Sequence, residues 1–205
     1  MQIDCAMPVV VTSSSAADVQ EVSDETLVRS IAGGDQRALQ VLFGRHNVKT
    51  FHFVLRLVQD APLAEELVSD VFFDVWRQAD KFQSRSQVTT WLLAIARNKA
   101  IATLRRRRSD QLEDDVLELL QDPADDPKLT ILKKQRISLV LPCLMQLSNE
   151  HGEIIDLVYY HGQSIDEVAQ ILGIPRNTVK TRMFYARNRM EQLLAKVGVH
   201  TASLH

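Results

Sequence analysis

Arg176, Asn177, Thr178, Lys180, Thr181, Arg182 and Tyr185 crowd one short stretch of the chain with the side chains that meet phosphates and base edges. Arginine can bind the two acceptors of guanine at once, threonine methyls can meet thymine methyls, and a single helix fits the DNA major groove. The residues just before them supply the support such a reading helix needs. Ser164 and Glu167 have the S-x-x-E spacing of a capping box, which satisfies free amides at a helix start. Ile165, Val168, Ala169 and Leu172 give that helix an apolar face, and Ala169 is small where a second helix must approach. Gly173 can adopt the left-handed conformation that ends it, Ile174 can plug the core, and Pro175 pre-sets the backbone for the next helix, on which Val179 and Met183 face inward. Standing alone, such a charged helix is most simply a solvated surface; the complete cap, alanine, glycine and proline framework favours a helix-turn-helix that binds DNA.

The elements around this motif are helical too. Between residues 24 and 108 apolar side chains recur at helical spacing, as in Leu27, Val28 and Ile31, then Ala38, Leu39, Leu42 and Phe43, then Leu63, Leu67, Val68, Val71, Phe72 and Val75. Ser23 is placed to cap the first helix, Gly33 and Gly34 to end it, and Pro62 suits the first turn of a later one. Pro123 and Pro127, set among acids, mark a linker. Helical periodicity resumes near residue 130 and is interrupted near Pro142, at Ser148 and Asn149, at Gly162 and at Gly173, which predicts about four short helices. The expected fold is all-α, with two small helical domains joined by an acidic linker and the second domain a helix-turn-helix.

The net charge of −2 conceals a strong segregation. Every charged residue from 81 to 108 is basic, ending in Arg105 to Arg108, and every one from 110 to 126 is acidic. From Arg176 onward the chain is basic again, with Glu191 the only acid up to Lys196. Two basic blocks flanking an acidic one suit a protein that contacts nucleic acid twice. With 205 residues and 45% hydrophobic composition the chain can bury real cores, and no run reaches the ~20 apolar residues of a membrane span. No signal sequence is evident at the start, so the expected compartment is the cytoplasm. Cys5 and Cys143 have no metal-ligand or disulfide spacing, and the six histidines, among them His46, His52, His151 and His161, have no ligand spacing either. Cys143 reads as a small buried hydrophobe beside Leu141 and Leu144, and the role of Cys5 is open. With no glycine-rich phosphate loop, no nucleophile and base set and no metal cluster, no catalytic residue and no cofactor are expected.

The segment from 164 to 190, SIDEVAQILGIPRNTVKTRMFYARNRM, resembles the promoter-reading carboxy-terminal domain of extracytoplasmic-function (ECF) sigma factors, a branch of the sigma-70 family of bacterial RNA polymerase. Asn177 stands where that family commonly has glycine. ALQVLFGRHNVKTFHFVLRLV, residues 38–58, resembles its first conserved helix pair, and AEELVSDVFFDVW, residues 64–76, its A-E-D-L-x-Q-E-V-F-x-x-x-W helix. KFQSRSQVTTWLLAIARNKAIATLRRRR, residues 81–108, looks like the segment that opens and reads the minus-10 element, with Ser84 where glycine is frequent.

The resemblance implies an alternative sigma factor that directs core RNA polymerase to specific promoters, and not an enzyme. It implies a tail at 1–22, a region 2 domain at 23–108, an acidic linker at 109–130, a region 4 helix-turn-helix domain at 131–197 and a tail at 198–205. Polymerase docking, to the clamp helices of the largest subunit, falls to Glu65, Glu66, Ser69, Asp70, Asp74 and Arg77, with a further contact to the flap. Minus-10 contacts fall to Ser84, Arg85, Trp91, Arg97, Asn98, Lys99 and Arg105, where a flipped base offsets a melting cost of a few kcal/mol. Trp91, with apolar neighbours, reads more readily as core. Minus-35 recognition falls to the run from Arg176 to Tyr185. The linker either threads polymerase channels or simply spaces two basic domains. The resemblance further implies an anti-sigma partner that clamps between the domains and a stress or envelope regulon. The competing reading is a helix-turn-helix regulator that binds duplex DNA without polymerase.

Overall fold

The computed structural model describes residues 22–110, 143–144 and 146–197. The two expected tails, Cys5, nearly all of the expected linker and the expected break at Pro142 lie outside the described residues. Among the described residues there are seven α-helices and no strand. They are α1 (Asp24–Ala32), α2 (Gln36–Val58), α3 (Ala61–Gln78), α4 (Val88–Asp110), α5 (Asn149–Ile155), α6 (Ile165–Leu172) and α7 (Arg176–Lys196).

The first four form one domain, and their ends are written in the sequence. Ser23 caps α1 by accepting the Thr26 amide, and Gly33 closes it. Gly34, at φ 89°, turns the chain so sharply that Asp35 can cap α2 through the amides of Arg37 and Ala38. Asp60 caps α3, with Pro62 in its first turn. The apolar stripes then interlock: Ile31, Leu42, Phe53, Val54, Val71, Val75, Leu92, Ala96 and Ala100 are buried. At about 25 cal/mol per Å² of apolar surface, burial of this kind is the main force holding the helices together.

The second domain contains α5, α6 and α7. Ser148 caps α5 on the His151 amide. Past Ile155 the backbone widens into a π turn, Asp156–Tyr160, closed by the His161 amide donating to the Asp156 carbonyl at 3.1 Å. Ile154, Leu157, Val168, Ile171, Val179, Met183 and Ala186 fill this smaller core. The last helix is long rather than short, because Val179, Met183, Ala186, Leu193 and Leu194 keep one buried stripe running along it. Cys143 is buried, as a small hydrophobe should be.

The two domains pack on each other, with α6 against α4. Arg97 and Glu153 pair across the boundary, as do Arg56 and Asp156 at 3.6 Å. Phe53 meets the edge of His161 with ring centroids 5.4 Å apart. No helix among the described residues is long and apolar enough to cross a membrane.

Candidate nucleic-acid interface

The helix-turn-helix is α6 and α7. The Ser164 hydroxyl accepts the Glu167 amide and the Glu167 carboxylate accepts the Ser164 amide, at 3.3 and 2.8 Å, so the capping box is complete. Burial works to raise the pKa of the Glu167 carboxyl, but the bonds from Ser164 and from Thr90 outweigh it and hold the carboxyl below its ordinary value. Gly173 sits at φ 65°, in the left-handed conformation that only glycine adopts without strain, and Ile174 packs against the core. Pro175 then precedes the first residue of α7.

This framework leaves one face of α7 open. Arg176, Asn177, Lys180, Thr181 and Tyr185 are exposed, while Thr178 and Arg182 are half-buried. Arg176 reaches back to Asp166 at 3.2 Å and Arg182 to Glu150 at 3.1 Å, contacts that orient the guanidinium groups. Both are surface pairs, worth at most about 1 kcal/mol, and so yield easily to a phosphate or a base edge. Asn177, the departure from the family pattern, lies in the first turn of α7, where no glycine conformation is required.

The second basic block is α4 with the loop before it. Ser84 and Arg85 are exposed in that loop, and Ser84 has φ 52°, the left-handed region, at the position where the family favours glycine. Trp91 is half-buried and stacks at a tilt on Phe82, ring centroids 5.0 Å apart, so it borders the core without being enclosed by it. Asn98 and Arg105 are exposed. Arg97 and Lys99 are already engaged: Arg97 binds Glu153 of the second domain, and Lys99 lies 3.2 Å from Asp70 and 2.9 Å from Asp74. Partial burial works to lower the Lys99 pKa, but the hydrogen bonds and charges of Asp74 and Asp70 win and raise it.

The acidic face is on α3. Glu65, Glu66, Ser69, Asp70 and Arg77 are exposed and Asp74 is half-buried, with Leu67, Val68, Val71 and Val75 turned inward. Arg77 lies over the exposed Phe73 ring at 5.7 Å. Lys99 therefore ties this face to the basic helix, a link that the sequence reading, which assigned the two to different partners, did not contain.

Sequence reasoning also missed Arg56, Thr90, Glu153 and Gln163, which meet across the domain boundary. Each is a lone polar residue in a helix or loop, and no spacing marks it. His161 was read as a surface or satisfied residue; its side chain is buried, and Nε2 lies 3.4 Å from Asp156 without a hydrogen bond of good geometry. Among the described residues no cluster of potential metal ligands occurs.

Known proteins share this arrangement. Residues 42–110 match the family model for sigma-70 region 2, and residues 143–192 match that for sigma-70 region 4. The chain is 30% identical over 163 residues to the ECF RNA polymerase sigma factor SigK of Mycobacterium bovis (strain BCG / Pasteur 1173P2), covering 78% of this chain and 87% of that protein. To SigL of Mycobacterium tuberculosis (strain Erdman), also an ECF RNA polymerase sigma factor, it is 28% identical over 173 residues, covering 84% and 97%. Among solved structures, CnrH in complex with the cytosolic domain of CnrY superposes with a TM-score of 0.61 at 26% identity, covering 84% of this chain and 97% of that one. The sigma factor RpoE in complex with the anti-sigma factor NepR from Bartonella quintana gives a TM-score of 0.60 at 26% identity, over 75% and 94%. With both sigma-70 regions present in order and relatives matched over most of their length, this chain belongs to the extracytoplasmic-function sigma factors.

Proposed function

We propose that this chain is an alternative sigma factor whose two domains, 23–108 and 131–197, hold core RNA polymerase and read a promoter, the acidic segment 109–130 linking them. In this reading α3 offers Glu65, Glu66, Ser69, Asp70, Asp74 and Arg77 to the clamp helices of the polymerase largest subunit. The loop and helix from Ser84 to Arg105 receive the opened minus-10 strand, and α7 reads the minus-35 duplex. The second domain also meets the flap. The observation that carries the reading is the pairing of a framed, solvent-facing α7 with a separate basic helix in a chain of this family. A lone DNA-binding regulator needs only the first of these.

The chain performs no chemistry of its own; it positions a polymerase that does, and it works in the cytoplasm where that polymerase is. An anti-sigma factor is its natural controller, as one is bound to the RpoE relative, and a stress or envelope regulon is the corresponding output. Contacts to phosphate should make promoter binding fall steeply with salt, since each neutralised phosphate releases counterions.

The test is reconstitution of the purified chain with core polymerase on fragments that include the region upstream of its own gene. Initiation from a defined start, lost when Asn98 and Lys99 or Arg176 and Lys180 are changed to alanine, supports the assignment. Failure to bind core enzyme, together with tight unaided duplex binding, would replace it with the regulator.

A further inference from the structure

Arg97 is one of the basic side chains of α4 assigned above to the melted strand, yet its guanidinium is occupied. Its Nε donates to Glu153 Oε1 at 2.7 Å and its Nη2 to Oε2 at 3.4 Å, a two-point grip by a carboxylate of the other domain. The side chains are only 20% and 10% exposed. Beside them Thr90, 2% exposed, directs its hydroxyl toward Gln163 Oε1 at 2.9 Å and Glu167 Oε1 at 3.2 Å. Gln163 is itself buried and donates to the His161 carbonyl at 3.2 Å. On the far side, Arg56 runs so close over α5 that a Cβ at position 152 would collide with its guanidinium, and Gly152 leaves the room.

The polar seam thus places a carboxylate of the second domain on an arginine of the first. A carboxylate and a phosphate ask the same thing of arginine, namely two in-plane acceptor oxygens on one fork. They cannot both have it.

We propose that Glu153 is an internal competitor for the minus-10 strand: the docked second domain holds Arg97 in place of DNA, and the strand is engaged only when that domain leaves. This rests on the sigma reading of α4. The geometry makes the block selective. The recognition face of α7 stays open in the docked form, with Arg176 59% and Tyr185 57% exposed. The docked chain can therefore meet duplex DNA through α7 while α4 meets single strands without Arg97. Opening is reversible because Glu153 and Arg97, costly to leave unpaired inside the seam, are each solvated once the domains part.

The experiment measures the scattering radius of the full chain and its binding to a short mixed-sequence single-stranded DNA. Glu153→Gln and Thr90→Val should each expand the chain and tighten strand binding by about tenfold or more, since apparent affinity scales with the open fraction. Glu191→Gln, the same charge change on an exposed face, should do neither. Adding Arg97→Ala to Glu153→Gln should keep the expansion and abolish the gain in binding. For the unaltered chain, saturating strand should expand it. Strand binding with no expansion, or wild-type radius and affinity in both folded variants, would overturn the proposal. Expansion in the variants without promoter-dependent transcription by core polymerase would instead sink the sigma reading and leave the gate standing.

Discussion

Arg107 and Asp60 join the end of α4 to the start of α3 at 3.0 Å, and the same carboxylate caps α3 with its other oxygen by accepting the Leu63 amide at 3.0 Å. One of the four consecutive arginines is thereby held on the protein while Arg105 stays exposed. The capping bond and then the Arg107 contact hold the Asp60 carboxyl below its usual 3.8.

Asp60→Ala should cost the first domain about 1 kcal/mol, the ordinary value of a lost cap. Both tryptophans, Trp76 and Trp91, lie in this domain, so tryptophan fluorescence in a urea titration reports it alone. Because the folded carboxyl is the stronger acid, its contribution is complete above the unfolded pKa and disappears as pH falls through the lower folded value. The gap between variant and wild type should close over that acid range. A gap independent of pH would mean that the carboxylate is not what stabilises.

Ser84→Gly should stabilise the first domain by up to about 1 kcal/mol, because φ 52° suits glycine and strains serine. Gln59, the C-cap of α2 at φ 54°, offers the same test with Gln59→Gly. Lower urea midpoints for both would show that side-chain contacts outweigh backbone strain there.

Lys99→Ala should separate two roles. As part of a partly exposed pair with Asp70 and Asp74, its ammonium should contribute about 1 kcal/mol or less to stability. Its raised pKa places that contribution fully below the ordinary 10.5 and removes it as pH climbs through the folded value. Core-polymerase affinity should change with the newly unbalanced α3 face, and promoter opening should fall. Unchanged affinity would show that Asp70 and Asp74 do not touch the polymerase.

Ser164→Ala should loosen α6 by about 1 kcal/mol, visible as faster amide exchange at Glu167 and Val168, with minus-35 binding weakened through the position of α7. Equal exchange rates in the two proteins would mean that Glu167 alone secures the helix start.

How much of this was legible beforehand depended on whether the signal was local. Caps, left-handed glycines and apolar stripes act over one or two turns, so Ser23, Ser164, Gly173 and the inward faces of α1, α3 and α6 could be read directly from residue order. The exposed run on α7 followed from the same periodicity once Val179 and Met183 were turned inward. The Arg97 and Glu153 pair could not be read, being an encounter between side chains 56 positions apart with a linker between. The length of α7 was underestimated for a related reason: between Ala186 and Leu193 only Met190 is apolar, so the buried stripe that resumes at Leu193 and Leu194 is set by tertiary packing.

The π turn at Asp156–Tyr160 works as a splice that absorbs an additional residue without breaking the rod. Removing one residue there would restore ordinary winding and leave everything downstream in its present phase relative to α5. Tyr159 and Tyr160, which face water, and His161, turned inward onto Phe53, would keep those surroundings when the residue removed precedes them. A one-residue deletion within α5 itself, which has no such slack, would instead act as a phase error of about 100° in how the second domain faces the first.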